Sequence, residues 1–283
     1  MDKKNLEALL SLLNDPDKDT FEAVAGSLTL DADIIPVLEN LWRQAEDETA
    51  ISRLDQLIHQ ARFNQLEKEL MEWKKKNGEL LDGAWLVATY QYPDLTFAEI
   101  DDAIAGIAKD VWLKLHDDMA PAEQIAAVNH VLFGKYSMRG DTHTILSINN
   151  VLINNVLRIR KGNHLGLAIL YICVAQKLNI PVYGVPMLRN FALAYLNDAA
   201  LGENVVFYID PFNEGKIFAE ADARNYLEKQ QIVFDREYIL PCSHEITIQM
   251  LVAELMLLFE EKGMNHKAKD MNRILKKLRN IQS

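Results

Sequence analysis

The side chains that could act as nucleophiles, bases or metal ligands are few in this sequence. Its two cysteines, Cys173 and Cys242, are too few for a disulfide framework or a cysteine-based zinc site. The seven histidines are His59, His116, His130, His143, His164, His244 and His266. No two of them have the helical spacing at which a pair of imidazoles binds zinc, and no glycine-rich phosphate loop occurs. We therefore expect no metal site and no cofactor.

His164 is the histidine whose surroundings suggest a chemical role. It follows Asn163, a residue type suited to cap a helix, and it begins an apolar segment that predicts a fully buried helix over 164–178. An imidazole in the first turn of a helix lies at the positive end of the helix dipole, which lowers its pKa. His164 is thus a candidate acid or base, and a structural role in the helix cap is the competing interpretation.

The elements that would position these residues change in kind along the chain. Up to residue 117, apolar residues recur almost throughout at helical spacing. After the buried segment, three runs with the composition of strands follow, at 182–185, 191–196 and 205–210. Two amphipathic helices, separated by Gly263, are predicted at the end. These patterns predict a helix-rich α+β protein with a helical region at 1–117, a core at 118–240 and a helical hairpin at 241–283.

The segment around the predicted strands also resembles a known family. The pieces that carry the likeness are Arg160-Lys161-Gly162, Leu170-Tyr171, Pro181-Val182-Tyr183-Gly184-Val185 and Ile209-Asp210-Pro211-Phe212. They resemble the transglutaminase-like superfamily, which has a papain-like fold, and more narrowly the bacterial SirB-type family with its helical N-terminal region. The resemblance implies a papain-like core with a short antiparallel sheet, and the tail is similar to the tetratricopeptide-like hairpin of such chains.

The resemblance also implies where a catalytic triad would lie. The nucleophile belongs at the start of the buried helix, but residues 162–166 contain neither cysteine nor serine, and Asn163 and His164 occur there. Asn190 occupies the position of the histidine, and only Asp210 is retained. Because an amide does not titrate near neutral pH, we expect this degenerate triad to lack the usual acyl-transfer chemistry.

Two cysteines outside the implied triad positions could in principle replace the missing nucleophile. Cys173 lies deep in the predicted helix and is expected to be buried. Cys242 follows Pro241 at the boundary of the tail, where an exposed and oxidisable thiol is expected. His164, close to Asp210, remains the candidate for a relocated acid or base.

Composition and charge restrict the classes of partner. The 283 residues include 30 Lys and Arg against 41 Asp and Glu, a net charge of −11 that does not favour nucleic-acid binding. The charge is uneven, since residues 1–60 hold 13 acids and five bases, whereas residues 262–283 hold seven bases and one acid. No apolar run is long enough for a membrane span and no secretory signal pattern is present, so we expect a cytoplasmic protein without a membrane partner.

These observations lead to one preferred function and two alternatives. The preferred interpretation is a non-catalytic transglutaminase-like protein that binds a protein or peptide partner. The first alternative is a hydrolase or acyl transferase that uses non-standard residues around His164 and Asp210. The second is binding of nucleic acid or of an acidic partner through the basic tail.

Overall fold

The computed structural model describes residues 21, 30, 32–144, 147–187, 190–197 and 205–280. The contacts within the chain separate two compact units, residues 1–72 and residues 73–283. Most of the helical stretch predicted before residue 32 lies outside the described residues. The division at residues 117 and 240 remains a prediction.

The first unit is helical where it is described. A 3-10 turn at Ala32–Ile34 leads into α1 (Ile35–Gln44), which has a proline in its first turn. Helix α2 (Glu48–Lys75) follows, and its last three residues belong to the second unit. The core of the first unit consists of apolar side chains that are almost fully buried: Phe21, Leu30, Ile34, Leu38, Leu54, Leu57 and Ala61. An ion pair of 2.6 Å between Arg62 and Glu39 joins the two helices at their surface.

The second unit contains the other helices of the described chain. These are α3 (Leu80–Thr89), α4 (Phe97–Trp112), α5 (Pro121–Asn129), α6 (Ile153–Ile159), α7 (His164–Lys177), α8 (Glu220–Lys229), α9 (His244–Glu261) and α10 (Asn265–Leu278). Several begin at the residues that local chemistry favours. Thr96 and Glu99 form a capping box at α4, Pro121 occupies the first turn of α5, and Ser243 caps α9.

Two small sheets complete the second unit. The parallel pair is β1 (Arg139–Gly140) and β2 (Lys161–Gly162). The antiparallel sheet has the strand order β3 (Val182–Val185), β4 (Ala192–Leu196), β5 (Val205–Asp210) and β6 (Lys216–Phe218). The three predicted strand runs are confirmed as β3, β4 and β5. Within the antiparallel sheet each strand pairs with the next in sequence, whereas the parallel β1–β2 pair is connected by a longer segment that contains α6.

Helix α7 is the centre of the second unit. All residues from Leu165 to Ala175 are buried, as the nearly all-apolar sequence predicted. The helix contacts β3 and β4 on one side and α3, α4 and α6 on the other. Strand β4 is buried on both faces, because Ala192, Ala194 and Leu196 pack against α8 and its surroundings on the face away from α7. Because α7 and β4 are both buried, the N-terminus of α7 and the ends of the strands are held by packing.

The helical hairpin predicted for the tail is present as α9 and α10. Gly263, with φ of +70°, turns the chain between them, a conformation that glycine adopts without strain. Helix α10 buries one stripe of side chains: Ala268, Met271, Ile274, Leu275 and Leu278. The hairpin is tied to α3 by a hydrogen bond of 2.8 Å from the Tyr90 hydroxyl to Asp270.

Candidate functional site

The loop before α7 is held by backbone bonds from two other segments. Asp141 N donates to Gly162 O at 3.0 Å, next to the β1–β2 pair, and Asn163 N donates to Asn150 O at 2.9 Å. The hydrogen bond from Asn163 N to Asn150 O also explains why residue 166 is glycine. A Cβ atom at this position would lie 2.2 Å from Asn150 O. The start of α7 is therefore pressed against the backbone of the preceding segment.

A buried carboxylate organises that preceding segment. One oxygen of Asp141 accepts hydrogen bonds from His143 N and Thr144 N, and the other accepts from the Thr144 hydroxyl at 2.5 Å and from Asn150 Nδ2 at 3.1 Å. The Thr144 hydroxyl and the other donors hold the pKa of Asp141 well below its usual range. Asp141 thus remains charged and orders the backbone that supports Asn150 and, through it, Asn163.

Asn163 is the N-cap of α7, as predicted. Its Oδ1 accepts a hydrogen bond of 2.8 Å from Gly166 N, and its Nδ2 donates to the carboxylate of Glu254 on α9. The side chain is 3% exposed. Both ends of the amide are engaged within the fold, so Asn163 acts in the structure as a bridge between two helices.

Glu254 is a residue of this region that the sequence analysis missed. Burial raises the pKa of its carboxyl group, and the hydrogen bond from Asn163 acts in the opposite direction. Its sequence signal is an acid placed between Leu251 and Leu255, two buried residues of α9, in a helix otherwise apolar at this point. Its partner lies 91 residues earlier in the chain.

His164 occupies the first position of α7 and faces Asn190 and Asp210. Burial lowers the pKa of the imidazole, while the Asp210 carboxylate and a hydrogen bond to the Asn190 side chain act to raise it. Within the described part of the chain, its Nδ1 atom is buried and has no hydrogen-bond partner. The direction of the shift agrees with the sequence prediction, but desolvation is its principal cause.

Asn190 and Asp210 also hold the backbone around them. Asn190 Oδ1 accepts a bond of 2.7 Å from Phe191 N at the entrance to β4. Asp210 ends β5, and one of its oxygens accepts from Phe212 N at 3.1 Å and Asn213 N at 3.3 Å, while the other accepts from Asn213 Nδ2. The structure thus brings the residues at the three triad positions together around His164, each with hydrogen bonds to its surroundings.

Packed side chains surround this cluster. The imidazole of His164 stacks on Phe212, and Phe212 in turn contacts the β1 strand, where a Cβ on Gly140 would lie 2.8 Å from its ring. A Cβ on Gly162 would lie 2.9 Å from the Leu167 side chain. A side chain larger than hydrogen at Gly162 or Gly166, on either side of Asn163, would require the neighbouring atoms to move.

The cysteines do not supply a replacement nucleophile here. Cys173 is 2% exposed, in agreement with the prediction, and burial raises the pKa of its thiol. The expectation of an exposed Cys242 is wrong, because it is 7% exposed and lies 3.4 Å from the Thr247 hydroxyl. Burial raises the pKa of this thiol as well. Both thiols therefore stay protonated near neutral pH.

Metal-binding groups and membrane-spanning helices were both predicted to be absent. Among them, no group of three or more His, Cys, Asp or Glu side chains is arranged to hold a metal ion. Of the helices described, none is both long and apolar enough to span a membrane.

Three curated proteins are similar to parts of this chain. Two UPF0162 proteins, from Xylella fastidiosa strains Temecula1 and 9a5c, are each 29% identical over 137 residues, which is 48% of this chain and 47% of the relative. F-box only protein 21 of Mus musculus is 28% identical over 98 residues, or 34% of this chain and 16% of that protein. The chain thus spans about half the length of the bacterial relatives and a smaller part of the mouse protein.

No solved structure matches the chain. Residues 98–252, more than half of the sequence, match the family described as the transglutaminase-like superfamily. That range includes α7, both small sheets and the residues gathered around His164. The chain belongs to the transglutaminase-like superfamily.

Proposed function

We propose that this chain is a non-catalytic transglutaminase-like protein that acts by binding a protein or peptide partner. The observation that carries the proposal is the state of the triad positions. Asn163 caps α7 and bonds Glu254, Asn190 bonds the backbone of β4, and Asp210 holds the turn after β5. Catalysis of the usual kind needs a nucleophile and a titrating base in these positions.

The crowding around the site supports the same proposal. Restoring a nucleophile at Gly166 would place its Cβ against Asn150 O. The imidazole of His164 is covered on one face by Phe212. A substrate carbonyl has to reach within about 3.5 Å of an attacking atom, and the packed neighbours of His164 oppose such an approach.

The proposal also includes a narrower family, a location in the cell and a type of helical hairpin for the tail. We assign the chain to the SirB-type branch, with a cytoplasmic location and the three-part division at residues 117 and 240. The helices before residue 117 support that branch, because the resemblance implies a helical N-terminal region. The α9–α10 pair is proposed to be tetratricopeptide-like, and stacked helical pairs of that kind commonly present partner-binding surfaces.

Covalent probes test the absence of catalysis. The folded protein is treated with a fluorophosphonate and with an iodoacetamide probe, and modified peptides are located by mass spectrometry. We expect no modification within residues 162–166, while Cys173 and Cys242 react with iodoacetamide only after unfolding because both are buried. Modification near His164 that disappears in His164→Gln and Asp210→Asn, but persists in the exposed control His116→Gln, would contradict the proposal.

One alternative has a specific observation in its favour. His164 has a lowered pKa, an unpartnered Nδ1 in the described structure and a nearby carboxylate, which together resemble a poised base. This favours a hydrolase or acyl transferase with non-standard residues. Hydrolysis of activated esters by the wild type, lost in His164→Gln and retained in His116→Gln, would support this alternative.

A further inference from the structure

A cleft of about 280 Å³ lies in the second unit, and none of the triad-position residues lines it. Its walls come from the end of α2, from β3 and from the start of α9. The aromatic side chains in the walls are the buried Trp73 and the half-buried Tyr183. Ser243 and Glu245 line the side formed by α9.

The Trp73 wall is rigid. The indole Nε1 donates a hydrogen bond of 2.8 Å to Glu79 O. Asn77 has a φ of 48° and turns the chain so that Gly78 lies directly on the indole, where a Cβ would be 2.2 Å from Trp73 Cδ1. A wall fixed before a ligand arrives reduces the entropy cost of binding.

The charged groups of the cleft have partners within the protein. Lys74 Nζ lies 3.1 Å from the Glu245 carboxylate and also bonds Asn280 Oδ1 at 3.0 Å. The His244 ring lies 2.6 Å from the Gln176 amide. A charged ligand group would have to break such pairs, so the aromatic walls favour an uncharged apolar group.

Basic residues of α10 lie beyond one end of the cleft. Lys74 donates to Leu278 O at the end of α10, so the cleft adjoins that helix. Lys269 and Lys276 lie two helical turns apart on the exposed side of α10, and Arg279 is also exposed. The acid of this helix, Asp270, accepts the hydrogen bond from Tyr90. A partner that extends from the cleft along the exposed side of α10 therefore meets these positive charges.

We infer that the cleft takes one aromatic or large apolar side chain of a peptide partner, and that acidic residues of the peptide lie along the exposed side of α10. This inference rests on the proposed partner-binding function. The volume of 280 Å³ is below the range of about 300 to 1,000 Å³ typical of small-molecule sites and suits a single side chain. The net charge of −11 disfavours a nucleic acid more strongly than a short acidic segment, because repulsion from a nucleic acid extends over many phosphates.

Fluorescence anisotropy with the full chain tests the inference. The probe is a fluorescein-labelled peptide with a central tryptophan and three glutamates on either side. Comparison peptides replace the tryptophan by alanine or the glutamates by lysines, and a single-stranded oligonucleotide serves as a further probe. We expect the first peptide to bind, with affinity falling as salt increases, and the alanine peptide to bind at least about tenfold more weakly.

Protein variants locate the binding. Tyr183→Ala should weaken binding by about three- to tenfold through loss of an aromatic wall, and Lys276→Glu should weaken it more at low salt than at high salt. The matched controls are Trp112→Ala, which removes a 64% exposed aromatic outside the lining, and Lys114→Glu, which reverses another exposed charge. Thermal unfolding confirms that each variant is folded, and the peptide comparisons need no variant at all.

Four results would overturn the inference, and the first three are equal binding of the tryptophan and alanine peptides, absence of binding, and effects of the controls equal to those of Tyr183→Ala and Lys276→Glu. Tighter binding of the oligonucleotide would assign the α10 surface to nucleic acid and also overturn it. None of these binding results bears on whether the region around His164 is catalytic. Failure of the proposed non-catalytic role is recognised separately, by covalent modification of the His164 region.

Discussion

The imidazole of His164 stacks on the ring of Phe212, with ring centroids 4.1 Å apart and an angle of 20° between the planes. Phe212 follows Asp210 by two residues, in the turn that the Asp210 carboxylate holds. Asp210, the residue retained from the implied triad, therefore positions Phe212, and the ring of Phe212 covers the imidazole of His164. The geometry thus connects Asp210 with the packing around His164.

Removing this cover should change both stability and titration. Phe212→Ala should reduce the free energy of unfolding by about 1 to 3 kcal/mol, because the half-buried ring loses its contacts with His164 and β1. The pKa of His164 should rise towards its ordinary value of 6.5, since burial is the principal cause of its lowering. Chemical denaturation and an NMR titration of the imidazole measure the two effects. An unchanged pKa in a folded Phe212→Ala variant would show that the ring does not desolvate His164.

Glu254 should make the stability depend on pH in a defined direction. Its pKa in the folded protein is raised above the ordinary value of 4.5, so its favourable contribution is complete below that pH and is lost as pH rises through the folded pKa. Glu254→Gln keeps an acceptor for Asn163 and cannot ionise. The stability of this variant relative to the wild type should therefore increase between pH 4 and pH 8. Urea denaturation at both pH values measures this, with the exposed Glu261→Gln as the control; a difference independent of pH would contradict the assignment.

The carboxylate of Asp141 should be a strong determinant of stability. Asp141→Asn removes a charged acceptor that serves two backbone amides, a hydroxyl and the Asn150 amide, and should cost about 2 to 4 kcal/mol. Because the folded pKa is lowered, the stabilisation is complete above the ordinary pKa of 3.8 and is lost as pH falls through the folded value. Thermal and urea unfolding from pH 2 to 7 follow the loss. The exposed Asp117→Asn serves as the control, and an equal, small effect of both variants would refute the role of Asp141.

Two glycines in helices should respond in opposite ways to the same substitution. Gly166→Ala places a methyl group 2.2 Å from Asn150 O and should destabilise the protein by at least about 2 kcal/mol. Gly106→Ala, in α4, meets no atom within 4 Å and should be neutral or stabilising by up to about 1 kcal/mol. Melting temperatures and urea midpoints measure both. A well-tolerated Gly166→Ala would contradict the predicted crowding against Asn150 O and would remove that support for the proposed non-catalytic role.

Local features of the fold were predictable from the sequence. The apolar segment after Asn163 specified both the buried helix and its cap, because a helix without a polar face needs burial on all sides and its first amides need an acceptor. The strand runs and the tail hairpin were visible for the same reason, since their periodicity is contained within a few residues. The absence of cysteine and serine from residues 162–166 and the amide side chain of Asn190 were also readable directly.

Relations between distant segments were not predictable in this way. The sequence analysis placed Cys242 at the surface, yet its backbone amide bonds Gly184 O on β3 and its thiol is buried beside Thr247. It likewise gave no reason to connect Glu254 with Asn163. Such contacts depend on how helices and strands pack, and periodicity within one segment contains no information about its partner.

The sequence by itself determined a helix-rich protein with short strand runs, and it placed no cysteine or serine at residues 162–166 and an amide at Asn190, because side-chain chemistry is a property of each residue alone. Only the tertiary structure decided what those positions do instead. Helix α7, buried on all sides, brings Asn163 to Glu254 and His164 to Phe212, Asn190 and Asp210. These contacts join segments far apart in the sequence, and close packing against Phe212 and neighbouring polar groups makes the start of α7 part of the protein core.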